Sequence, residues 1–210
     1  MVQRICCGNV NCYLVSNGKK AILVDTGRES YRQKILDACQ SYEVGLLVLT
    51  HGHVDHIQNA AFLADALNCP VAMQETDIPL IGDNMRQPLQ AHTLLGKVVL
   101  GASVKSFHKD KIPFFTPDIS LNEGDSLKTY GIPARVISLP GHTQGSIGID
   151  IMGKELIVGD ALMNMFYPTV SMLYHNKDVM LQSVDKISSL GERQIYFGHG
   201  KPMKNRRAWR

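Results

Sequence analysis

The segment Thr50-His51-Gly52-His53-Val54-Asp55-His56 constrains this chain more than any other. Four side chains able to bind a metal fall within six residues, directly after the apolar run Gly45-Leu46-Leu47-Val48-Leu49. A short apolar run of this kind reads as a buried strand. His51 and His53, separated by Gly52, can point two imidazoles at one ion from a tight loop. Asp55 and His56 stand where the chain turns into the next helix, so two adjacent sites are expected. Imidazole and carboxylate suit zinc, and also iron or manganese, all of them Lewis acids towards carbonyl or phosphoryl oxygen.

Three later segments have the same form, a strand ending in a glycine-flanked ligand: Pro140-Gly141-His142-Thr143, Gly159-Asp160-Ala161 and Gly198-His199-Gly200. Strand ends facing one edge of a sheet would bring them together. The glycines allow the close backbone approach and positive φ that crowded loops need.

Around these motifs the chain alternates strands and helices. Residues 10–17 and 19–26 read as a hairpin about Asn17-Gly18 that opens the domain. Tyr31, Ile35, Leu36 and Cys39 have helical spacing within 29–42, and IQNAAFLADALN reads as a second helix closing before Cys69-Pro70. Residues 78–116 read less regularly and are taken as an insertion or lid. Strands resume at ARVISLP, SIGIDIM and KELIVGD, with a turn at Gly153. A helix over Asp178–Leu190, burying Val179, Val184, Ile187 and Leu190, leads to a last strand at QIYFGHG. Such alternation predicts a layered α/β architecture.

Length and composition narrow the class. With 210 residues, 44% of them hydrophobic, the chain is expected to form one domain spanning 1–210. No apolar stretch of about 18 residues is present, and MVQRICCGNVNCYLV lacks the form of a signal peptide, so a soluble cytoplasmic protein is expected. Cys6, Cys7, Cys12, Cys39 and Cys69 have no paired C-x-x-C spacing and read as reduced, mostly buried thiols. The formal charge of +3 becomes −2 once the tail residues Lys201, Lys204, Arg206, Arg207 and Arg210 are set aside. A body without net positive charge argues against a broad nucleic-acid surface.

Taken together and in this order, H-x-H-x-D-H, P-G-H-T, G-D and G-H-G resemble the metallo-β-lactamase superfamily, over nearly the whole chain and including Val24-Asp25-Thr26-Gly27. The resemblance implies a four-layered αββα sandwich with the active site at one edge of the sheets. Matched residue by residue, it implies that His51, His53 and His142 hold one metal, Asp55, His56 and His199 a second, and Asp160 bridges them. The implied reaction is attack by a hydroxide held between two divalent ions, zinc foremost with iron or manganese as alternatives, and Asp55 would orient it and carry its proton.

Other residues carry two readings each. Asp25 is either a group orienting a metal-bound histidine or an ordinary strand-to-turn aspartate. Met163, Met165, Phe166 and Tyr167 form either an apolar substrate wall or core. Tyr167 and Tyr174 are candidate hydrogen-bond donors to an oxyanion, and His108 or His175 could line a pocket, whereas His92 matches no ligand position. The basic tail either grips an acidic substrate group or ends solvated and frayed.

Departures from the family's branches prune the substrate list. The largest β-lactamase subclass uses a cysteine on its second metal, where this chain has His56 and Asp160. His53 stands where oxygen-reducing di-iron members carry glutamate. Glyoxalase-II-like thioesterases follow the motif with paired glycines and add a helical C-terminal region for glutathione, but here Gln58-Asn59 follow and that region is lacking. The expectation is a hydrolase of a small ester, lactone or thioester, with no nucleic-acid or membrane partner and with residues 78–116 shaping access or forming a homodimer interface. A phosphodiesterase and a non-catalytic metal-stabilised binding protein are the alternatives.

Overall fold

The computed structural model describes residues 1–209; Arg210, one of the five basic tail residues, lies outside the described residues. Strands β1 (Val2–Cys7), β2 (Val10–Asn17) and β3 (Lys20–Val24) run antiparallel. Helix α1 (Arg32–Cys39) then carries the chain to β4 (Glu43–Val48), which lies parallel to β3. After β4 come α2 (Val54–Ile57), α3 (Ala60–Leu67), β5 (Val71–Met73), α4 (Pro79–Gly82), α5 (Leu94–Lys109) and β6 (Ile119–Ser120). β5 and β6 extend the first sheet in parallel, giving the order β1-β2-β3-β4-β5-β6. The second half supplies β7 (Ala134–Ser138), β8 (Ile147–Ile151), β9 (Glu155–Ile157), the short pair β10 (Leu162–Met163) and β11 (Thr169–Val170), α6 (Lys177–Ser189), β12 (Gln194–Tyr196) and β13 (Met203–Lys204). Its main sheet has the order β13-β12-β9-β8-β7.

The layering follows from period-two alternation, because successive strand residues face opposite sides of a sheet. Tyr13, Val15, Ile22, Val24, Leu46 and Val48 face the second sheet and meet Val136, Ile149 and Ile157 there. Their neighbours Leu14, Leu23 and Leu47 face the other way, onto Ile35 and Cys39 of α1 and Leu63 of α3. On the second sheet Ile137, Leu156 and Ile195 turn outward onto Met180, Val184 and Ile187 of α6. Three apolar interfaces therefore separate four layers, αββα. Both faces of the central strands are buried, which is why they read as continuous apolar runs rather than alternating ones.

Several sequence expectations need correction. The chain opens with β1, not with the hairpin, and β1 pairs along β2 through a turn at Gly8-Asn9. The helix expected over 57–68 is broken into α2 and α3 at Gln58-Asn59, where the Asn59 side chain bonds the carbonyls of Thr26, Gly27 and Arg28. Residues 78–116 are more regular than expected: α5 is a 16-residue helix whose Thr93 hydroxyl accepts from Gly96 N as an N-cap. On α6 the buried residues are Met180, Ser183, Val184 and Ile187, while Val179 and Leu190 stay half-buried. The tail is not frayed through Trp209, whose ring packs edge-on against Phe197 and whose Nε1 donates to Asn205. Among the described residues no helix is long and apolar enough to cross a membrane.

Candidate metal centre

All the ligand-type residues singled out above follow the C-terminal ends of strands. His51 leaves β4, His142 follows β7, Asp160 follows β9 and His199 follows β12. His53 takes the extended N-cap conformation of α2, which sets Asp55 and His56 on that helix's single turn. Two glycines make the convergence sterically possible. A Cβ on Gly198 would lie 2.1 Å from Asp160 Oδ1 and 2.8 Å from His56 Cε1, and one on Gly52 would lie 2.6 Å from Leu80 Cβ.

The structure brings all seven residues together. The ligand atoms of His51, His53 and His142 lie within 4.8 Å of one another, as do those of Asp55, His56 and His199, and a third grouping of His51, His56 and Asp160 joins the two. Asp160 faces both sides: Oδ2 lies 3.2 Å from His199 Nε2 and 3.6 Å from His142 Nε2, and Oδ1 lies 3.5 Å from His56 Nε2. Asp55 Oδ2 is 3.5 Å from His199 Nε2.

The imidazoles are held from behind. His56 Nδ1 donates to Asp25 Oδ2 at 2.8 Å, His142 Nδ1 to Leu173 O at 2.8 Å and His199 Nδ1 to Asn9 O at 2.6 Å. His51 Nδ1 meets Thr50 Oγ1 at 3.1 Å, and that hydroxyl donates on to Asp25 Oδ2 at 2.9 Å. Asp25 thus steadies two imidazoles at once, the orienting role of the two expected for it. It does so from a left-handed conformation, φ 61°, in which its other oxygen accepts from Thr50 N; such strain persists where the surroundings over-determine it.

What remains is a set of buried polar atoms without a partner: Nε2 of His51, His53 and His56, and Oδ1 of Asp160. A buried polar group is ordinarily paired, and an unpaired one costs about 1–3 kcal/mol. Buried imidazole nitrogens and carboxylate oxygens clustered in groups within 4.8 Å of one another, some of them unpaired and with His53 Nδ1 3.0 Å from His142 Nε2, form a donor set that fits divalent transition-metal ions.

Electrostatics separate the histidines into two kinds. Burial, reinforced by neighbouring imidazoles, holds His51 and His53 well below the usual imidazole range, and burial also lowers His142. These three present lone pairs at neutral pH. At His56 burial opposes the charge, but Asp25 and Asp160 outweigh it and raise the group to about 10. His199 is raised against its burial by Asp160 and Asp55. Burial opposes ionisation of Asp160 and Asp55 too, yet the imidazoles around them lower both carboxyls. A bound cation would replace the protons of His56 and His199 and relieve the same carboxylates.

Sequence reasoning missed the residues that tie the two ligand loops together. Asp77, fully buried, accepts from Gly52 N at 2.9 Å and Thr143 Oγ1 at 2.7 Å through Oδ2, and from Gly145 N at 2.8 Å through Oδ1. It links the loop of His51 and His53 to the loop of His142. Asn84 accepts from Val54 N and donates to Gly52 O, and Gln87 donates to Asp77 while accepting from Gln144 N. The first part of the 78–116 segment is therefore a cradle for the site. Its only sequence signal was polarity inside an otherwise apolar stretch.

A cavity of about 330 Å³ opens onto His53, Asp55, Asp160 and His199. Val99 and Phe107 of α5 wall one side, with the Phe107 ring stacked on His53 at 4.9 Å between centroids. Met163, Met165 and Phe166 line the cavity as the substrate-wall reading expected, but Tyr167 does not. Nor do Tyr174, His108, His175 or the described tail residues Lys201, Lys204, Arg206 and Arg207; Tyr174 is buried against the α6 core, and His108 lines a separate groove. Arg28, on the loop after β3, is a lining residue that sequence reasoning did not single out.

The family model of the metallo-beta-lactamase superfamily matches residues 7–199. The chain belongs to the metallo-β-lactamase superfamily. As a member it falls among metal-dependent hydrolases. An uncharacterized protein of Aquifex aeolicus is 31% identical over 156 residues, 73% of this chain and 65% of that protein. The hydroxyacylglutathione hydrolase GloC of Haemophilus influenzae is 30% identical over 157 residues, 72% of this chain and 66% of that protein. The chain thus spans about two-thirds of the length of these curated relatives. Among solved structures, the BLEG-1 B3 metallo-beta-lactamase superposes with a TM-score of 0.76 at 22% identity, over 97% of this chain and 94% of that one, which shows the fold. TTHA1623, solved in a di-iron-bound form, superposes with a TM-score of 0.66 at 25% identity, over 93% of this chain and 89% of that one.

Proposed function

We propose that the chain works as a single dinuclear metal-dependent hydrolase domain that cleaves a small ester, lactone or thioester. His51, His53 and His142 would hold one divalent ion, Asp55, His56 and His199 the other, and Asp160 would bridge them. Zinc is the first choice for these ligands, with iron or manganese as alternatives. The observation that carries this reading is the set of clustered buried His and Asp ligand atoms, with unpaired polar atoms among those residues, beside an apolar-walled cavity. When bound, such ions supply Lewis acidity and a water ionisable near neutral pH.

The chain's own residues do the rest. Asp55, whose carboxylate reaches the cavity, orients the attacking water and accepts its proton. Phe107, Val99 and Met163 exclude bulk water and pack against the acyl part, with α5 acting as a lid. Asp25, directly and through Thr50, together with Asn9 O and Leu173 O keep the imidazoles of His51, His56, His142 and His199 in one orientation, so little reorganisation accompanies the reaction.

The test is elemental analysis followed by an assay panel on the loaded protein: aryl esters, lactones, thioesters and a bis-aryl phosphodiester. Transition metal near two ions per chain together with carbonyl-substrate turnover is expected. Turnover of the phosphodiester alone would move the reading to its alternative, and full loading without any turnover would make the protein a binding module.

A further inference from the structure

The end of the β1–β2 hairpin is fastened to the loop of His199 on the other sheet. Asn9 O accepts from His199 Nδ1 at 2.6 Å. Asn11 donates through its backbone N to Gly198 O at 2.8 Å, and through Nδ2 to Phe197 O at 2.9 Å and Gly200 O at 2.8 Å. The orientation of one candidate ligand therefore depends on where this turn sits.

Two thiols that the proposed reaction does not use bracket the same turn. Cys7 and Cys12 point into the apolar layer shared with Ile35 of α1, both fully buried, with their sulfurs 3.9 Å apart. In the hairpin register Cys7 faces Val10 and Cys12 faces Ile5, so the two cysteines are diagonal neighbours. Diagonal neighbours ordinarily stand about 7 Å apart, beyond the roughly 3.5–4.5 Å between Cβ atoms that a disulfide requires. The sulfurs are close enough to meet, but bonding them obliges the turn to move. Disulfides formed against strain are the readily reduced, regulatory ones.

The two thiols are unequal. The hydrogen bond from Cys12 lowers Cys7 against its burial, helped by the Lys34 ammonium, which is anchored on Cys6 O at 2.6 Å. Burial pushes Cys12 up. One acidified sulfur beside one that keeps its proton makes an attacking and a resolving cysteine. Cys39 and Cys69, pushed up by burial to about 12 and about 11, are not prepared in this way. β1 is the edge strand of its sheet and Gly8-Asn9 are exposed, so local opening of the hairpin end admits a small oxidant while the core stays folded.

We propose that Cys7 and Cys12 are a peroxide-sensitive thiol pair, whose disulfide displaces the turn carrying Asn9 O and loosens the metal ion held by His199. This rests on the dinuclear reading above. The Cys7 thiolate first attacks hydrogen peroxide: an S–O bond forms, the O–O bond breaks, and hydroxide leaves, taking up the proton that Cys7 released. Cys12 sulfur then attacks Cys7 sulfur, the S–S bond forms, the S–O bond breaks, and hydroxide leaves as water with the Cys12 proton. Two thiols are oxidised and one peroxide is reduced to two waters. A dithiol reductant reverses the change.

The experiment treats the zinc-loaded full chain with hydrogen peroxide, then denatures it, alkylates the free thiols and maps the product by mass spectrometry. The expected product has lost two hydrogens and joins Cys7 to Cys12. C6S, which removes the exposed neighbouring thiol, should form it unchanged, and C12A should not form it. Zinc titration should show the second ion bound at least about tenfold more weakly by the oxidised chain, the usual cost of losing the partner behind a metal-bound histidine. Dithiothreitol should restore the affinity, and C12A exposed to the same peroxide should keep it. Mapping and reversal use the parent chain, so a poorly folding C12A leaves the test intact. Oxidation confined to Cys6, or a Cys7–Cys12 disulfide that leaves both zinc ions as tightly bound as before, overturns the thiol switch while the dinuclear reading stands. Reduced protein that takes up no second zinc overturns both.

Discussion

The strand-end loops and α5 face each other across one cavity and are held in opposite ways. In the loops, His51, His53, His56, His142 and His199 are all buried; four of them are hydrogen-bonded through Nδ1 to the protein behind, and glycines admit neighbours closer than any Cβ would allow. On α5, Gly96 is the one buried residue of sixteen, and Leu94 and Val98 are 84% and 71% exposed. The loops are over-determined by the fold, and α5 is attached at a few points: Phe107 on His53, Asp110 on Arg28, Thr93 at its start. Elements with few buried apolar contacts occupy the low-stability end of a structure. On the hydrolase reading proposed above, reaction chemistry would reside in the rigid part and selectivity in the loosely attached part.

The largest effect that would break this contrast is at Asp160. Asp160→Ala should abolish metal binding at both clusters and with it turnover, whereas His92→Ala should change neither, as read by elemental analysis beside the assay. Equal behaviour of the two variants would mean that the ligand assignment is wrong.

Asp77→Ala should come next. It leaves two buried backbone donors and the Thr143 hydroxyl without their acceptor, at a cost of about 3 kcal/mol or more in thermal unfolding of the metal-free chain. Because Asp77 ties only the loops of His51, His53 and His142, a chelator should strip that cluster first and leave the Asp55–His56–His199 cluster loaded. Simultaneous loss from both would show that the loops are one unit.

Phe107→Ala should keep its metal and raise KM for an apolar aryl ester roughly tenfold, with less effect on a small polar lactone, since losing the contact of a large aromatic is worth about 1.5–3 kcal/mol at most. Loss of metal in this variant would move α5 from the selectivity side to the structural side. The smallest effect is expected at Leu94→Ser, which should leave unfolding within about 0.5 kcal/mol of the parent and turnover unchanged. A larger change would show that the exposed end of α5 is covered by something in solution, a second copy included.

Much of this contrast was legible before any coordinates. Ligand identity is written in side-chain type, and glycine-flanked His142, Asp160 and His199 could be read off because each follows an apolar strand. The alternation of strands and helices implied layered α/β architecture and the family resemblance implied its αββα order, which strands such as Ile22–Val24 and Leu46–Val48, apolar on both faces, fit. Residues 94–109 were harder. α5 buries so little that no apolar face of helical period stands out, and Gly96 and Gly101 resemble breakers. β1 was missed because Arg4, with its Nε bonded to Asn11, and Cys6 face outward from a half-exposed edge strand.

What the sequence by itself determined was the donor set, its division among four strand ends and the layers that present them, all properties of residue type and local spacing. The tertiary structure alone decided which polar residues hold those donors in place and which cations face the cavity. Asp77 meets Thr143 across 66 residues, and Arg28 meets Asp110 across 82. An aspartate of this kind looks like any other in a string of letters. Its role depends on which backbone amides the folded chain buries beside it, and a buried amide must find an acceptor wherever the fold provides one.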